Sequence, residues 1–385
     1  MGLQGIGPGD VLALIRRGAI TRAQIQESTG LSRVTVAQRV DSLLQAGYIR
    51  EGETGRSTGG RRPIELQLDV HHSFILTATV DTMHTRISAV DLSGAVLGDT
   101  EIMVDILDGP ELVLDRIEST MSALLAEHGL DVGRLSGIGI SVPAPVDPLT
   151  GRPSEPPMMQ GWDAYPIAQH LSGTFPVLVV VENDANVMAL GERSLEHSNS
   201  TSLCLIKVST GIGSGIVING GIYRGSDGGA GDIGHVRTVG NDDALCQCGS
   251  KGCLAAVASG RAVARALTAE GIPATSGRDV RDLLAAGHVN AVRLTRQAGR
   301  RIGEVVAALV CVLNPSVLVI SGDLASNPLL SGIRETLYPR ALPRATRNLE
   351  IQIGRHAQEA ATAGLTQLLV DSIFSPPAVN ARLQT

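Results

Sequence analysis

Val36, Val40, Leu43 and Leu44 fall on one side of a 3.6-residue period with polar residues between them, which predicts a helix over "RVTVAQRVDSLLQAG". Ser32 is placed to cap its start and Gly47 to close it. Two shorter helices precede it. Pro8-Gly9-Asp10 opens the first, "VLALIRRG", which ends at Gly18; Thr21 caps the second, "RAQIQESTG", which stops at Gly30. Two short helices joined through "STGLS" to a longer, polar-faced one is helix-turn-helix punctuation. In the following "YIREGETGRSTGGRRPIELQLD", two strand-like pieces flank a Gly- and Arg-rich loop. By composition alone that loop reads as a linker; directly after the third helix it reads as a wing.

From residue 71 the texture changes to alternating strands and helices. "SFILTATV", "RISAVDLSG" and "AVLGDTEIMVD" predict three strands, followed by a helix from about Glu111 to His128. "LSGIGISV" and "PVLVVV" are buried strands ahead of a helix at "ANVMALGERSL". "SLCLIKVS", "SGIVINGGI" and "SVLVISG" continue the pattern among further helices. Such alternation is that of an α/β fold, and no repeat of fixed period is visible. The expected division is a DNA-binding module over 1–70 and a body over 71–385, with lobes of about 71–195 and 196–385.

The 385 residues suffice for two or three domains, and 43% apolar with 18% charged residues is ordinary for a globular protein. No apolar run reaches the roughly 18 residues of a membrane helix, and the N-terminus lacks a signal-peptide pattern. The chain begins Met-Gly, but Ile6 stands where myristoylation favours Ser or Thr. The expectation is a cytoplasmic protein without a membrane partner. The net charge of −6 hides an asymmetry: up to Pro63 nine arginines face five acids, +4, which leaves −10 for the remainder. A basic module ahead of an acidic body suggests nucleic-acid contact at one end.

Cys246, Cys248 and Cys253 form C-x-C-x4-C, with His235 upstream. Three thiolates and an imidazole complete a tetrahedral zinc shell with no open position, hence a structural site; reduced, unliganded thiols are the alternative. Cys204 and Cys311 lie in apolar segments and are expected in the core. Asp184 stands where a strand gives way to a helix, as either a cap or, with Asn183, a ligand contact at a strand's carboxyl end. Glycines 211, 213 and 215 would let backbone approach a phosphate or sugar, although a plain hairpin would use the same residues. Asp232 and His235 close that segment.

Together "ENDANVMALGE", "STGIGSGIV", "GDIGH", "CQCGSKGC" and "LNPSVLVISG" resemble, in order and spacing, the ROK family of repressors, open reading frames and kinases. With the helix-turn-helix and "STGGRRP" the chain looks like the repressor branch. The resemblance implies a winged helix-turn-helix followed by a two-lobed, actin-like sugar-kinase (ribonuclease-H-like) body. It implies that Asp184 matches the kinase base, that Asn183, Asp232 and His235 match residues holding sugar hydroxyls, and that His235 also matches a zinc ligand. Family kinases read Asp-x-Gly-Gly-Thr at the first strand turn, and here the line is Asp81-Thr82-Met83-His84-Thr85. Ala255 replaces a family Glu that contacts sugar, and Asp232 replaces a longer Glu.

Phosphoryl transfer depends on holding and neutralising phosphates, so losing both glycines outweighs keeping a base worth about 10²–10⁴ in rate. The expected function is a transcriptional regulator, a repressor of carbohydrate-related genes that senses a sugar or sugar phosphate, with Asp184 a vestigial base. A bifunctional kinase with a DNA-binding arm and a ligand-independent regulator are the alternatives. Ser32, Arg33, Val34, Thr35, Gln38 and Arg39 are expected at operator bases, and Arg61 and Arg62 in a narrow minor groove. A palindromic operator needs two such modules, so a homodimer or a dimer of dimers is expected.

Overall fold

A computed structural model of the chain describes residues 5–18, 20–54, 64–157 and 159–383. The N-terminal module contains α1 (Pro8–Ile15), β1 (Ile20–Thr21), α2 (Arg22–Thr29), α3 (Arg33–Gln45), β2 (Ile49–Thr54) and β3 (Ile64–Leu68). Its caps are those the sequence predicts. The Thr21 hydroxyl accepts from Gln24 N at 3.3 Å while Gln24 Oε1 accepts from Thr21 N at 2.9 Å, a reciprocal capping box. Gly30 ends α2 in the left-handed region at φ 69°, and Ser32 Oγ accepts from Thr35 N to start α3. β2 and β3 pair antiparallel around the expected wing, and β1 joins β3 on its other side. Arg22 ties the module together: it lies 3.2 Å from Glu51 on β2 and 3.9 Å from Asp41 on α3.

The body opens with β4 (Phe74–Val80), β5 (His84–Asp91), β6 (Val96–Met103), α4 (Pro110–Glu127), β7 (Leu135–Val142), α5 (Ile167–Ser172), β8 (Leu178–Asn183) and α6 (Asp184–Glu196). It continues with β9 (Ser202–Val208), β10 (Ile212–Ile218), β11 (Gly221–Ile222), α7 (Leu254–Ala258), α8 (Gly260–Ala269), α9 (Gly277–Ala285) and α10 (Val289–Leu313). It ends with β12 (Val317–Ser321), α11 (Asn327–Arg340), α12 (Pro343–Thr346), β13 (Glu350–Ile353), α13 (Ala357–Ile373) and α14 (Pro376–Leu383).

The strands form two five-stranded sheets, ordered β6-β5-β4-β7-β8 and β11-β10-β9-β12-β13. Each sheet has antiparallel pairing on one side of its central strand and parallel pairing on the other. The architecture is therefore a duplication that the sequence does not show as a repeat. β12 is buried at every residue, as a strand covered on both faces must be.

Two helices link the halves. α6 follows the first sheet but packs on the second: a Cβ on Gly215 of β10 would collide with the Ala185 carbonyl. α13, far along the chain, packs its Leu365, Leu369 and Ile373 on the first sheet. α6 and α13 cross where Gly191 meets the Ala360 carbonyl and Gly364 meets the Val187 carbonyl, with no room for a side chain at either glycine.

The core of the N-terminal module is continuous with the body. Val11, Leu12, Ile25, Val36, Val40, Leu43 and Leu66 share one buried cluster with Ile75 and Val90 of the first sheet and with Leu369, Ile373, Phe374 and Val379 of the C-terminal helices. Cys204 is buried as expected, and burial pushes its thiol up to about 12. Cys311 is a correction: it is exposed on α10, whose apolar period places position 311 away from the core face occupied by Val306, Ala307 and Val310.

Candidate ligand pocket and nucleic-acid interface

A cavity of about 240 Å³ opens where the β4–β5 turn, the start of α6, the β9–β10 turn, residues 228–232 and the α7–α8 junction converge. Asn183, Asp184, Asp232 and His235 all line it. So the motifs that lie apart in sequence meet at one place, the carboxyl ends of strands in both sheets.

The floor is built from β8. Glu182 is 3% exposed, and its carboxylate is fully engaged. Oε2 lies 2.5 Å from Arg224 Nη2 and 2.7 Å from Nε, while Oε1 accepts from Asn183 N at 2.9 Å and Asn186 Nδ2 at 3.0 Å. This pair fixes the strand-to-helix turn. Asn183 then caps α6: its Oδ1 accepts from Asn186 N at 3.1 Å and its Nδ2 donates to Ala144 O at 3.0 Å. Both ends of the Asn183 amide are thus engaged in shaping the turn.

Asp184, the first residue of α6, meets a partner that sequence reasoning missed. Lys207 Nζ of β9 lies 2.5 Å from Asp184 Oδ2 and 4.0 Å from Asp81 Oδ2. Burial alone would lower the Lys207 ammonium, but Asp184, then Asp81, hold it well above its ordinary value. Lys207 in turn holds the Asp81 carboxyl low against the opposing effect of its burial, with help from Thr82 N–H. The available signal was a single lysine inside the apolar run "LCLIKVS". Asp323 was missed as well; burial, then the neighbouring Asp81, raises its carboxyl.

The β4–β5 turn is compact. Asp81 N donates to His84 O at 2.8 Å, and the β6-proximal segment pins Met83 O and Thr82 O through Val104 N and Ile106 N. His84 begins β5 and does not lie in an exposed turn; pairing with Met103 of β6 draws it into the strand. Neither Met83 nor His84 has positive φ. Thr82 Oγ1 lies 3.3 Å from Thr210 Oγ1, which joins this turn to the β9–β10 turn. The glycines there divide in function: Gly211 and Gly213 line the cavity, whereas Gly215 serves the packing of β10 on α6.

His235, Cys246, Cys248 and Cys253 present four donor atoms all within 4.8 Å of one another. Cys248 Sγ lies 3.8 Å from Cys253 Sγ, and Cys246 Sγ lies 3.7 Å from His235 Nδ1. Two thiolates each about 2.3 Å from one tetrahedral zinc sit ~3.8 Å apart, so the donor set and its spacing fit that ion. His235 offers Nδ1 to the cluster, while its Nε2 lies 3.9 Å from Asp232 Oδ1. Asp232 itself opens the 3₁₀ turn Ile233–His235, and Ala255 leaves the neighbouring wall apolar.

At the DNA-binding end, Ser32, Arg33, Val34 and Gln38 are exposed, Thr35 and Arg39 are half-buried, and Val36 and Val40 face the core. Val34 is 68% exposed at the start of α3, an apolar side chain with no fold-internal use. The Ser32 hydroxyl is engaged in capping, with Thr35 Oγ1 2.8 Å away. Arg61 and Arg62 lie outside the described residues. Among the described residues, no helix is long and apolar enough to cross a membrane.

Comparison with known proteins agrees with this layout. Residues 82–372 match the ROK family, and residues 10–50 match the winged helix-turn-helix DNA-binding family. A xylose repressor from Caldicellulosiruptor bescii is 29% identical over 93% of both chains. A glucokinase from Halalkalibacterium halodurans is 30% identical over 72% of this chain and 89% of its own length. The solved structure of a ROK family transcriptional regulator, a homolog of the E. coli MLC protein, superposes with a TM-score of 0.80 at 24% identity, covering 95% of this chain and 96% of that one.

Proposed function

The chain belongs to the ROK family, and from that premise we propose that it is a cytoplasmic winged-helix transcriptional repressor of carbohydrate-related genes. Its kinase-like body senses a sugar-class ligand and has given up ATP-dependent phosphoryl transfer. The division of labour follows: residues 1–70 bind operator DNA, and residues 71–385 bind ligand and form a homodimer. Asn183, Asp184, Asp232 and His235 contact the ligand. Zinc, held by His235, Cys246, Cys248 and Cys253, is structural, since four protein donors leave no coordination position for chemistry.

The observation that carries the loss of catalysis is Lys207 Nζ, 2.5 Å from Asp184 Oδ2. A general base must reach the proton of the attacking hydroxyl, and both Asp184 oxygens are already engaged, Oδ2 by Lys207 and Oδ1 by Ala185 N at 2.7 Å. The phosphates fare no better. Met83 and His84 complete a tight turn where family kinases carry two glycines. Incubation with ATP and common hexoses is therefore expected to give no turnover above background; turnover that Asp184→Asn abolishes would establish the bifunctional kinase in place of the sensor.

The regulator half rests on the free face of α3. Arg33 and Gln38 project from its exposed side, and Arg and Gln pair bidentately with guanine and adenine. Arg33→Ala or Gln38→Ala should cost ~1–3 kcal/mol at one base position and relax specificity there, in binding that weakens steeply with salt. Operator titrations against a set of single-base variants measure this. An equal loss on every sequence would place those side chains on phosphates.

A further inference from the structure

One wall of the cavity carries charge that the fold leaves unbalanced. Arg261 and Arg265 lie four residues apart on α8, and both line the cavity. Like charges at that spacing repel across one helix face. Arg261 is also the second residue of the helix, where the backbone dipole disfavours a cation, and the first turn of α8 has no acidic residue. Among the described residues, Arg261 has no hydrogen-bond or ion-pair partner, and Arg265 only donates to Ala256 O at 2.8 Å. Burial, then repulsion from Arg265, pulls the Arg261 guanidinium below its ordinary value.

The carboxylates of the cavity do not answer this charge. Asp184 and Asp81 are turned to Lys207, and neither Glu155 nor Asp232 pairs with either arginine among the described residues. Ala255, Ala256 and Ala262 line the cavity beside α8, the neighbouring Ser259 hydroxyl is taken up in capping the helix, and no side chain among the described residues accepts from either guanidinium. A guanidinium offers donors in a planar fork and accepts nothing, so what completes it is an oxyanion brought from outside.

Resting on the sensor reading above, we infer that the ligand is a monosaccharide bearing an oxyanion, the carboxylate of a sugar acid or the phosphate of a sugar phosphate, with Arg261 and Arg265 gripping the anionic group. The polar floor at Asp184 and Asp232 meets hydroxyls, and the α8 wall meets the charge. A neutral sugar would leave the half-buried Arg261 guanidinium without an acceptor and still repelled by the exposed Arg265.

The test uses the full-length protein, calorimetry and operator release, with glucose, xylose, gluconate, glucuronate, glucose 6-phosphate and inorganic phosphate as probes. An acid-bearing sugar is expected to bind about tenfold or more tightly than its neutral counterpart, since a charge-assisted hydrogen bond contributes at least that ratio. Arg261→Ala should erase the preference, and Arg261→Lys should restore part of it. The carboxylate and phosphate arms identify which oxyanion is read. The inference is overturned if a neutral sugar binds and releases operator as well as its anionic counterpart, or if Arg261→Ala leaves the preference intact; the sensor reading survives both results. It is also overturned if inorganic phosphate alone binds as tightly as the sugar phosphate. If no probe binds and Asp184→Ala leaves operator regulation unchanged, the sensor reading falls and takes the inference with it.

Discussion

Cys248→Ser is expected to release the metal and to melt the loop that the metal holds. Cys248 and Cys253 have their sulfurs 3.8 Å apart without a disulfide, the separation two thiolates take on one tetrahedral ion. The loop has little apolar core of its own: its cluster consists of Cys246, Cys253 and Ala256 with a few partly buried neighbours, and the rest is hydrogen bonding such as Thr238 N to Gly252 O and Cys246 N to Ser250 O, both 2.8 Å. Structural zinc in small peptides contributes about 10–16 kcal/mol of apparent binding free energy at neutral pH. The cluster here sits on a prefolded body, so its loss should show as a lower melting midpoint and protease cleavage within residues 236–252, with the rest folded. Serine keeps the size of cysteine but supplies no thiolate. Elemental analysis should give one zinc per wild-type chain and much less in the variant, and a chelator should bring the wild type to the variant's midpoint. Metal-free wild-type protein with an unchanged midpoint would sink the assignment. His235 makes the loss felt in the cavity as well, because the same side chain borders Asp232.

What the sequence made legible divides along physical lines. Caps and turns are local, so Thr21, Gly30 and Ser32 mark the helix-turn-helix within a few residues of chain. The spacing of Cys246, Cys248 and Cys253 is also local, and His235 stands only a short way upstream of them. Lys207 was hidden because its significance is a distance to Asp184 and Asp81, residues on other elements. Arg261 and Arg265 carry no signal in the sequence; only the cavity brings them to the same wall as Asp184 and Asp232. Position 311 misled because an apolar neighbourhood in sequence says nothing about which side of a long helix a residue takes. The duplicated sheets escaped because the two halves share connectivity without sharing side chains. The C-terminal helices α13 and α14 escaped for the same kind of reason: their contacts are with the other end of the chain.

Those contacts carry the second large expected effect, that of Phe374→Ala. Phe374 is 1% exposed and lies in the cluster shared by the DNA-binding module and the body. Its ring meets Tyr48 edge to face, with centroids 5.5 Å apart and planes at 81°. Removing such a side chain costs about 3–5 kcal/mol, a large part of the roughly 5–15 kcal/mol that holds a typical domain folded. Polar contacts trace the same seam: Gly9 N donates to Asn380 Oδ1 at 2.7 Å, and Arg16 Nη2 lies 2.6 Å from Asp371 Oδ1. The Arg16–Asp371 pair is exposed enough that Arg16→Ala should cost under about 1 kcal/mol, so packing and not charge holds the module to the body. Wild-type protein is therefore expected to unfold in one transition by denaturant, followed by circular dichroism and by Tyr48 environment alike. Phe374→Ala should lower the midpoint strongly and split the transition, with the DNA-binding module melting first and operator affinity falling with it. Arg16→Ala should leave the curve nearly in place. The seam also offers a path from pocket to operator, since α13 crosses α6 at Gly191 and Gly364, and α6 begins at Asp184. A ligand that shifted the start of α6 would press on α13, which ends at Ile373 against the DNA-binding module's core. If Phe374→Ala left a single transition at the wild-type midpoint, the shared core would be immaterial to stability and this route would lose its physical basis.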